Sequence, residues 1–224
     1  MKRDRFIAMI QKVLNTIADV EIVHPEYLPE KGAVILATNH MSRFDIPLLG
    51  VTPNRPDIRP LVADKYLNYP VLRWFSEQAG AIWMDRSKAD FTAFRQAIEI
   101  IKQGGCLGIA PEGTRSTTRE LLEGKSGIVL LAIKTGVPVV PAGISGTETA
   151  VEKLIRFQRP HLKVTYGPPF DLPALSRENR EEDLQKSTEE VMCRIAALLP
   201  EKYHGFYAGH PRIKELINLK VPGN

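Results

Sequence analysis

Apolar and polar positions along this chain change period several times, and each change marks an element. Over residues 3–18, Phe6, Ile10, Val13, Leu14 and Ile17 recur at helical spacing, which predicts an amphipathic helix with Lys2, Arg3, Arg5 and Lys12 on its basic flank. A short strand follows at 20–23 and stops at Pro25. Residues 32–38 are apolar without alternation, the mark of a strand buried on both faces. After a proline-rich turn at 53–60 comes a brief apolar run at 61–63. A helix over 70–78 begins on Pro70, a favourable first position. A strand is expected at 80–84, and a helix at 91–102 ends at Gly104-Gly105. Residues 106–110 read as a strand, 127–135 as a buried helix ending at Gly136, and 137–144 and 162–166 as strands. A long helix over 179–199 turns Leu184, Val191, Ile195 and Leu198 inward, and a short amphipathic piece over 213–219 closes the chain.

Strands alternating with helices predict an α/β fold with a mixed, largely parallel sheet flanked by helices. At 224 residues the chain fits one globular domain. Residues 1–20 read as an N-terminal helix with possible membrane contact, 21–210 as the main domain and 211–224 as a C-terminal tail. No internal repeat or low-complexity linker interrupts this order.

Composition narrows the partners. The formal net charge is +4, which favours anionic ligands or surfaces without choosing among them. The two cysteines, Cys106 and Cys193, have no metal-ligand spacing and read as reduced thiols. The apolar run after Arg5 is cut short by Gln11 and Lys12, unlike a signal peptide. No run of about 20 apolar residues spans a bilayer, so membrane contact is expected to be peripheral.

Candidate chemistry begins at Asn39-His40-Met41-Ser42-Arg43-Phe44-Asp45. Five residues at about 100° each would put His40 and Asp45 roughly 140° apart on a helix. His40 is therefore expected before a helix and Asp45 in its first turn, where a carboxylate can fix the imidazole tautomer. Ser42 and Asp45 also spell a capping-box pattern, and the pair alone does not choose between cap and catalyst.

Other polar clusters follow other strands. Asp85-Arg86 ends one, Pro111-Glu112-Gly113-Thr114-Arg115-Ser116 ends the next, and Ser145 lies at a third. Ligands of open α/β sheets bind outside the carboxyl ends of strands, so these loops are expected to converge. Convergence would bring His40 near Arg86 and Arg115, whose planar guanidinium groups suit a phosphate, with Lys65 and Lys125 able to join them. A nucleophile elbow fails at Gly143-Ile144-Ser145-Gly146-Thr147, which lacks the second glycine. A P-loop fails because Arg119 stands where the first glycine belongs before Gly124-Lys125-Ser126.

Taken together, the blocks resemble the lysophospholipid acyltransferase family, in particular its members that acylate lysophosphatidic acid. His40 to Asp45 is similar to the family's His-x4-Asp motif, and Gly80 to Arg86 looks like its Gly-x5-Arg block. Glu112-Gly113-Thr114-Arg115-Ser116 resembles its Glu-Gly-Thr-Arg-Ser block, and Val137-Pro138-Val139-Val140-Pro141 its proline-containing strand. The resemblance implies an O-acyltransferase with a glycerolipid acyltransferase-like fold and His40 and Asp45 as catalytic residues. It implies substrate contacts from Arg86, Glu112, Gly113, Thr114, Arg115 and Lys125. It further implies acyl-CoA or acyl-carrier protein as donor, a lysophospholipid acceptor, and an anionic membrane surface at the cytoplasmic face of the cell membrane. No metal, cofactor or nucleic acid is expected. The chain departs from many members in having only residues 3–18 in place of a long apolar N-terminal segment.

Overall fold

A computed structural model describes residues 3–50, 55–86 and 90–220. The apolar runs become strands β1 (Asp19–Val23), β2 (Val34–Thr38), β3 (Arg59–Ala63), β4 (Ile82–Met84), β5 (Cys106–Ile109), β6 (Val139–Ser145) and β7 (His161–Tyr166). They form one sheet in the order β1-β7-β6-β2-β5-β3-β4. Neighbours β6, β2, β5, β3 and β4 run parallel, while β7 runs antiparallel to β6 and parallel to β1. The fold is α/β with a mixed, mostly parallel sheet, as the alternation of periods predicts.

Helices cover both faces of this sheet. They are α1 (Arg3–Ile17), α2 (Asp45–Leu49), α3 (Pro70–Gln78), α4 (Phe91–Lys102), α5 (Gly127–Thr135), α6 (Ala150–Ile155), α7 (Arg180–Ala196) and α8 (Pro211–Lys220). The central β2 is buried at every residue and divides two cores by the alternation of its side chains. Ile35 and Ala37 face the layer of α4, α5, α7 and α8, where Ala97, Val129, Val191 and Ile213 are buried. Val34 and Leu36 face the opposite core, to which α1, α2 and α6 contribute Leu14, Leu48 and Ala150.

The first and last helices are both packed into this frame. On α1, Phe6 and Leu14 are buried, and Phe6 meets Trp74 and Phe75 edge-on. On α8, Ile213 and Leu216 join the core beside α7. The short α6 was not anticipated by periodicity. Its six residues span fewer than two helical turns, too short for a repeating apolar stripe. Among the described residues no helix is long and apolar enough to cross a membrane.

Candidate active site

The site is built where β2 ends. Asn39 anchors the turn through a reciprocal pair: its side-chain amide donates to the Ile144 carbonyl at 2.8 Å, and the Ile144 N–H donates to its Oδ1 at 2.7 Å. A fully buried amide satisfied on both sides fixes the end of β2 against β6. The chain then leaves the sheet at His40 and enters α2 at Asp45. His40 thus precedes the helix and Asp45 opens it, the placement that their spacing requires.

That placement brings the two side chains together. His40 Nδ1 lies 2.8 Å from Asp45 Oδ2. The same oxygen accepts the Met41 and Ser42 N–H groups, each at 2.8 Å. Asp45 Oδ1 accepts the hydroxyl of the buried Thr147 at 2.6 Å. Four donors converging on one buried carboxylate hold it in a single orientation. Facing a carboxylate, Nδ1 carries the imidazole proton, and Nε2 presents its lone pair. Nε2 has no hydrogen-bond partner among the described residues. The helix cap takes a different form from the one the sequence spells. Phe44 is the N-cap residue without a side-chain cap bond, and Ser42 Oγ accepts the Phe44 N–H.

The loop after β5 locks onto this turn. Glu112 is buried, and its Oε1 accepts the His40 N–H at 2.8 Å while its Oε2 accepts the Leu122 N–H at 2.9 Å. The Ser116 N–H donates to the His40 carbonyl at 2.8 Å. Burial pushes the Glu112 pKa up to about 7, against the lowering effect of its two amide donors and of His40. Both carboxylate oxygens therefore serve the main chain. Glu112, expected among the substrate contacts, stands behind the histidine. Gly113 turns the loop at φ 66, and a Cβ there would stand 3.0 Å from the Lys125 side chain. A glycine lets the backbone take that left-handed turn beneath the lysine.

Two adjoining cavities meet at these loops. A nook of about 70 Å³ is lined by His40, Asp45, Tyr66, Arg86 and Gly113, among others. Next to it, a cleft of about 590 Å³ runs between α4 and α5, with Phe94, Ala97, Ile128 and Leu131 on its walls and Lys125 at its rim. Leu61, Met84, Arg86 and Gly113 line both. The cleft's size falls within the usual range of small-ligand sites. Arg86 Nε is buried without a hydrogen-bond partner among the described residues. Burial lowers the pKa of this guanidinium from its ordinary value, a shift that Tyr66 and Asp64 oppose.

The expected residues therefore divide by position. His40, Asp45, Arg86 and Gly113 share the nook, and Lys125 stands at the cleft. Thr114 and Arg115 line neither cavity, and Lys65 lies on the surface over the Tyr66 ring. Thr147 and Tyr66 belong to the site as well, though neither carries a motif signal in the sequence. Thr147 lies two residues beyond the end of β6, where the strand-end rule had drawn attention only to Ser145.

A histidine held by a buried carboxylate at the strand ends of an α/β sheet, in a nook beside an apolar cleft, has the arrangement that general-base chemistry on a hydroxyl or water requires. The chain belongs to the acyltransferase family, whose profile matches residues 19–145. It is 33% identical over 181 residues to a 1-acyl-sn-glycerol-3-phosphate acyltransferase of Saccharomyces cerevisiae, covering 78% of this chain and 59% of the yeast protein. The chain thus spans about three fifths of that relative's length. A Bacillus subtilis protein of the same name is 26% identical over 195 residues, covering 87% of this chain and 96% of its own. The crystal structure of a Thermotoga maritima 1-acyl-sn-glycerophosphate (LPA) acyltransferase superposes with a TM-score of 0.65 at 25% identity. That match covers 99% of this chain and 83% of the other.

Proposed function

We propose that the protein transfers a fatty acyl group from an acyl thioester to the free hydroxyl of lysophosphatidic acid, giving phosphatidic acid. The observation that carries this reading is the His40–Asp45 pair lining a nook that adjoins an apolar cleft across Arg86. An alcohol is a weak nucleophile near neutral pH and needs a base at the moment of attack. His40 Nε2 takes the hydroxyl proton as the oxygen bonds to the thioester carbonyl carbon. The carbon–sulfur bond then breaks, and the proton passes to the departing thiolate. Asp45 steadies the imidazolium formed in between. No serine or cysteine nucleophile enters, since the substrate hydroxyl takes that place.

The apolar walls between α4 and α5 suit an acyl chain, and Arg86 suits a phosphate because its buried Nε has no acceptor among the described residues. Lys125 at the cleft and Arg115 on the same loop supply further positive charge. The names of the relatives support lysophosphatidic acid over other lysolipids. The donor is coenzyme A or acyl-carrier protein, and the site of action is the cytoplasmic face of the membrane.

The test is a donor-by-acceptor matrix read by release of free thiol. Acyl-CoA and acyl-carrier protein are each offered with lysophosphatidic acid, other lysolipids and glycerol 3-phosphate. Thiol release that depends on lysophosphatidic acid supports the reading. Lipid binding without consumption of either donor would make the protein a non-catalytic lipid-binding module.

A further inference from the structure

Beside the nook, the chain raises an apolar surface that its own core does not use. After β3 the backbone makes a 3-10 turn over Asp64–Asn68 and enters α3. Tyr69 is 56% exposed and Val71 78% exposed, and Leu67 and Trp74 are exposed as well. Val71 and Trp74 are three apart on α3 and share one face. Trp74 rests edge-on against Phe6 with ring centroids 5.6 Å apart, so α1 supports this surface from beneath. With Phe6 and Leu14 buried, α1 has already committed much of its apolar face to the domain.

We infer that Leu67, Tyr69, Val71 and Trp74 form the surface on which the protein sits in an anionic lipid leaflet, with α1 as its buttress. This inference rests on the reading that the acceptor is a membrane lysolipid. Three observations select lipid as the occupant. First, the side chains pair a tryptophan and a tyrosine with aliphatic tips, the mixture that settles at a headgroup boundary. Second, charge complements an anionic leaflet: residues 3–18 and 59–78 together carry six basic and three acidic side chains. Lys65, Arg73, Arg5 and Lys12 among them are exposed. Third, the surface is continuous with the site, because Tyr66 lines the nook together with Arg86, and Leu67 is the next residue. Docking there would open the nook toward the layer that holds the acceptor headgroup.

Full-length protein tests this with Trp74 as reporter. The chain has two tryptophans, so Trp83→Phe leaves Trp74 as the single emitter. With vesicles of phosphatidylglycerol and phosphatidylcholine, Trp74 emission should shift to the blue and be quenched by lipids spin-labelled near the headgroup. Pure phosphatidylcholine should bind more weakly. The double variant Tyr69→Ser/Val71→Asp should lose about tenfold or more in vesicle affinity, with an unchanged far-ultraviolet circular dichroism spectrum. Phe157, wholly exposed beside β7 on the far side of the sheet, gives the control: Phe157→Ser should bind like wild type.

Unchanged Trp74 emission on sedimented vesicles, or a double variant that sediments like wild type, overturns the inference. So does a comparable loss in Phe157→Ser, or a wild type that ignores anionic vesicles. The acyltransferase reading is tested separately, with a short-chain lysophosphatidic acid dispersed below its critical micelle concentration. The double variant should turn over that substrate at the wild-type rate and fail only on vesicle-borne acceptor. If wild type acylates no lysolipid in either form, the acyltransferase reading fails while the vesicle result stands on its own.

Discussion

Thr147 Oγ1 donates a 2.6 Å hydrogen bond to Asp45 Oδ1, joining the end of β6 to the first turn of α2 across 102 positions of sequence. Both residues are buried, so water cannot replace this donor. Loss of a buried partner of this kind costs about 1–3 kcal/mol. Thr147→Val should therefore lower kcat roughly tenfold with little change in KM, and Thr147→Ser should restore most of it. A raised KM at wild-type kcat would mean that Thr147 serves binding instead of the dyad.

His40→Ala should lower kcat/KM by about 10²–10⁴-fold, the contribution of a positioned general base. The melting temperature should stay near wild type, because the anchors of this turn are the Asn39 pair, the His40 N–H on Glu112 and the Met41 N–H on the Asp45 carboxylate. Steady-state thiol release alongside differential scanning calorimetry checks both halves. Retained turnover in a clean preparation would remove His40 from the mechanism.

The proposed phosphate contact of Arg86 predicts discrimination by acceptor charge. Arg86→Ala should raise KM for lysophosphatidic acid by about tenfold or more and scarcely affect an acceptor without phosphate, such as monoacylglycerol. Arg86→Lys should recover only part of the loss, since an ammonium lacks the planar fork. Equal damage to both acceptors would assign Arg86 to the donor or to the fold.

The Glu112 carboxyl gives stability a pH dependence of defined sign. Burial raises its folded pKa from the ordinary 4.5 to about 7. Its contribution is fully present below the unfolded pKa and lost as pH rises through 7, a change of about 3 kcal/mol at most. The melting-temperature gap between wild type and Glu112→Gln should narrow by several degrees between pH 5 and pH 8. A gap that stays constant between pH 5 and pH 8 would show that the carboxylate is held as the anion throughout.

Much of the frame was legible because its signals are local. The unbroken apolar run into β2 marks a strand buried on both faces, and the five-residue spacing of His40 and Asp45 allows a meeting only across the start of a helix. What was not legible depends on distance along the chain. That Glu112 Oε1 and Oε2 are taken by the His40 and Leu122 amides follows from the pairing of β2 with β5, which brings two remote loops together. Composition alone makes a glutamate in such a loop look like a ligand. Thr147 was hidden in the same way, since a single hydroxyl beyond β6 gains meaning only once β6 lies beside β2. For α1, periodicity reports an amphipathic face but not its partner. Trp74 and Phe75 supply that partner.

His40 is gripped on both sides of its backbone by the segment 112–116: its N–H enters the Glu112 carboxylate, and its carbonyl receives the Ser116 N–H. Two stretches of sequence some 70 residues apart thus behave as one machined part delivered in two pieces. Chimeras of this chain with a relative should respect that seam. A breakpoint anywhere between Asp45 and Pro111 mates one parent's histidine turn with the other's loop, and mismatch would appear as a misaimed imidazole in a protein that still folds. Exchanging both pieces together transplants a working unit, which makes the pair the natural module for recombination.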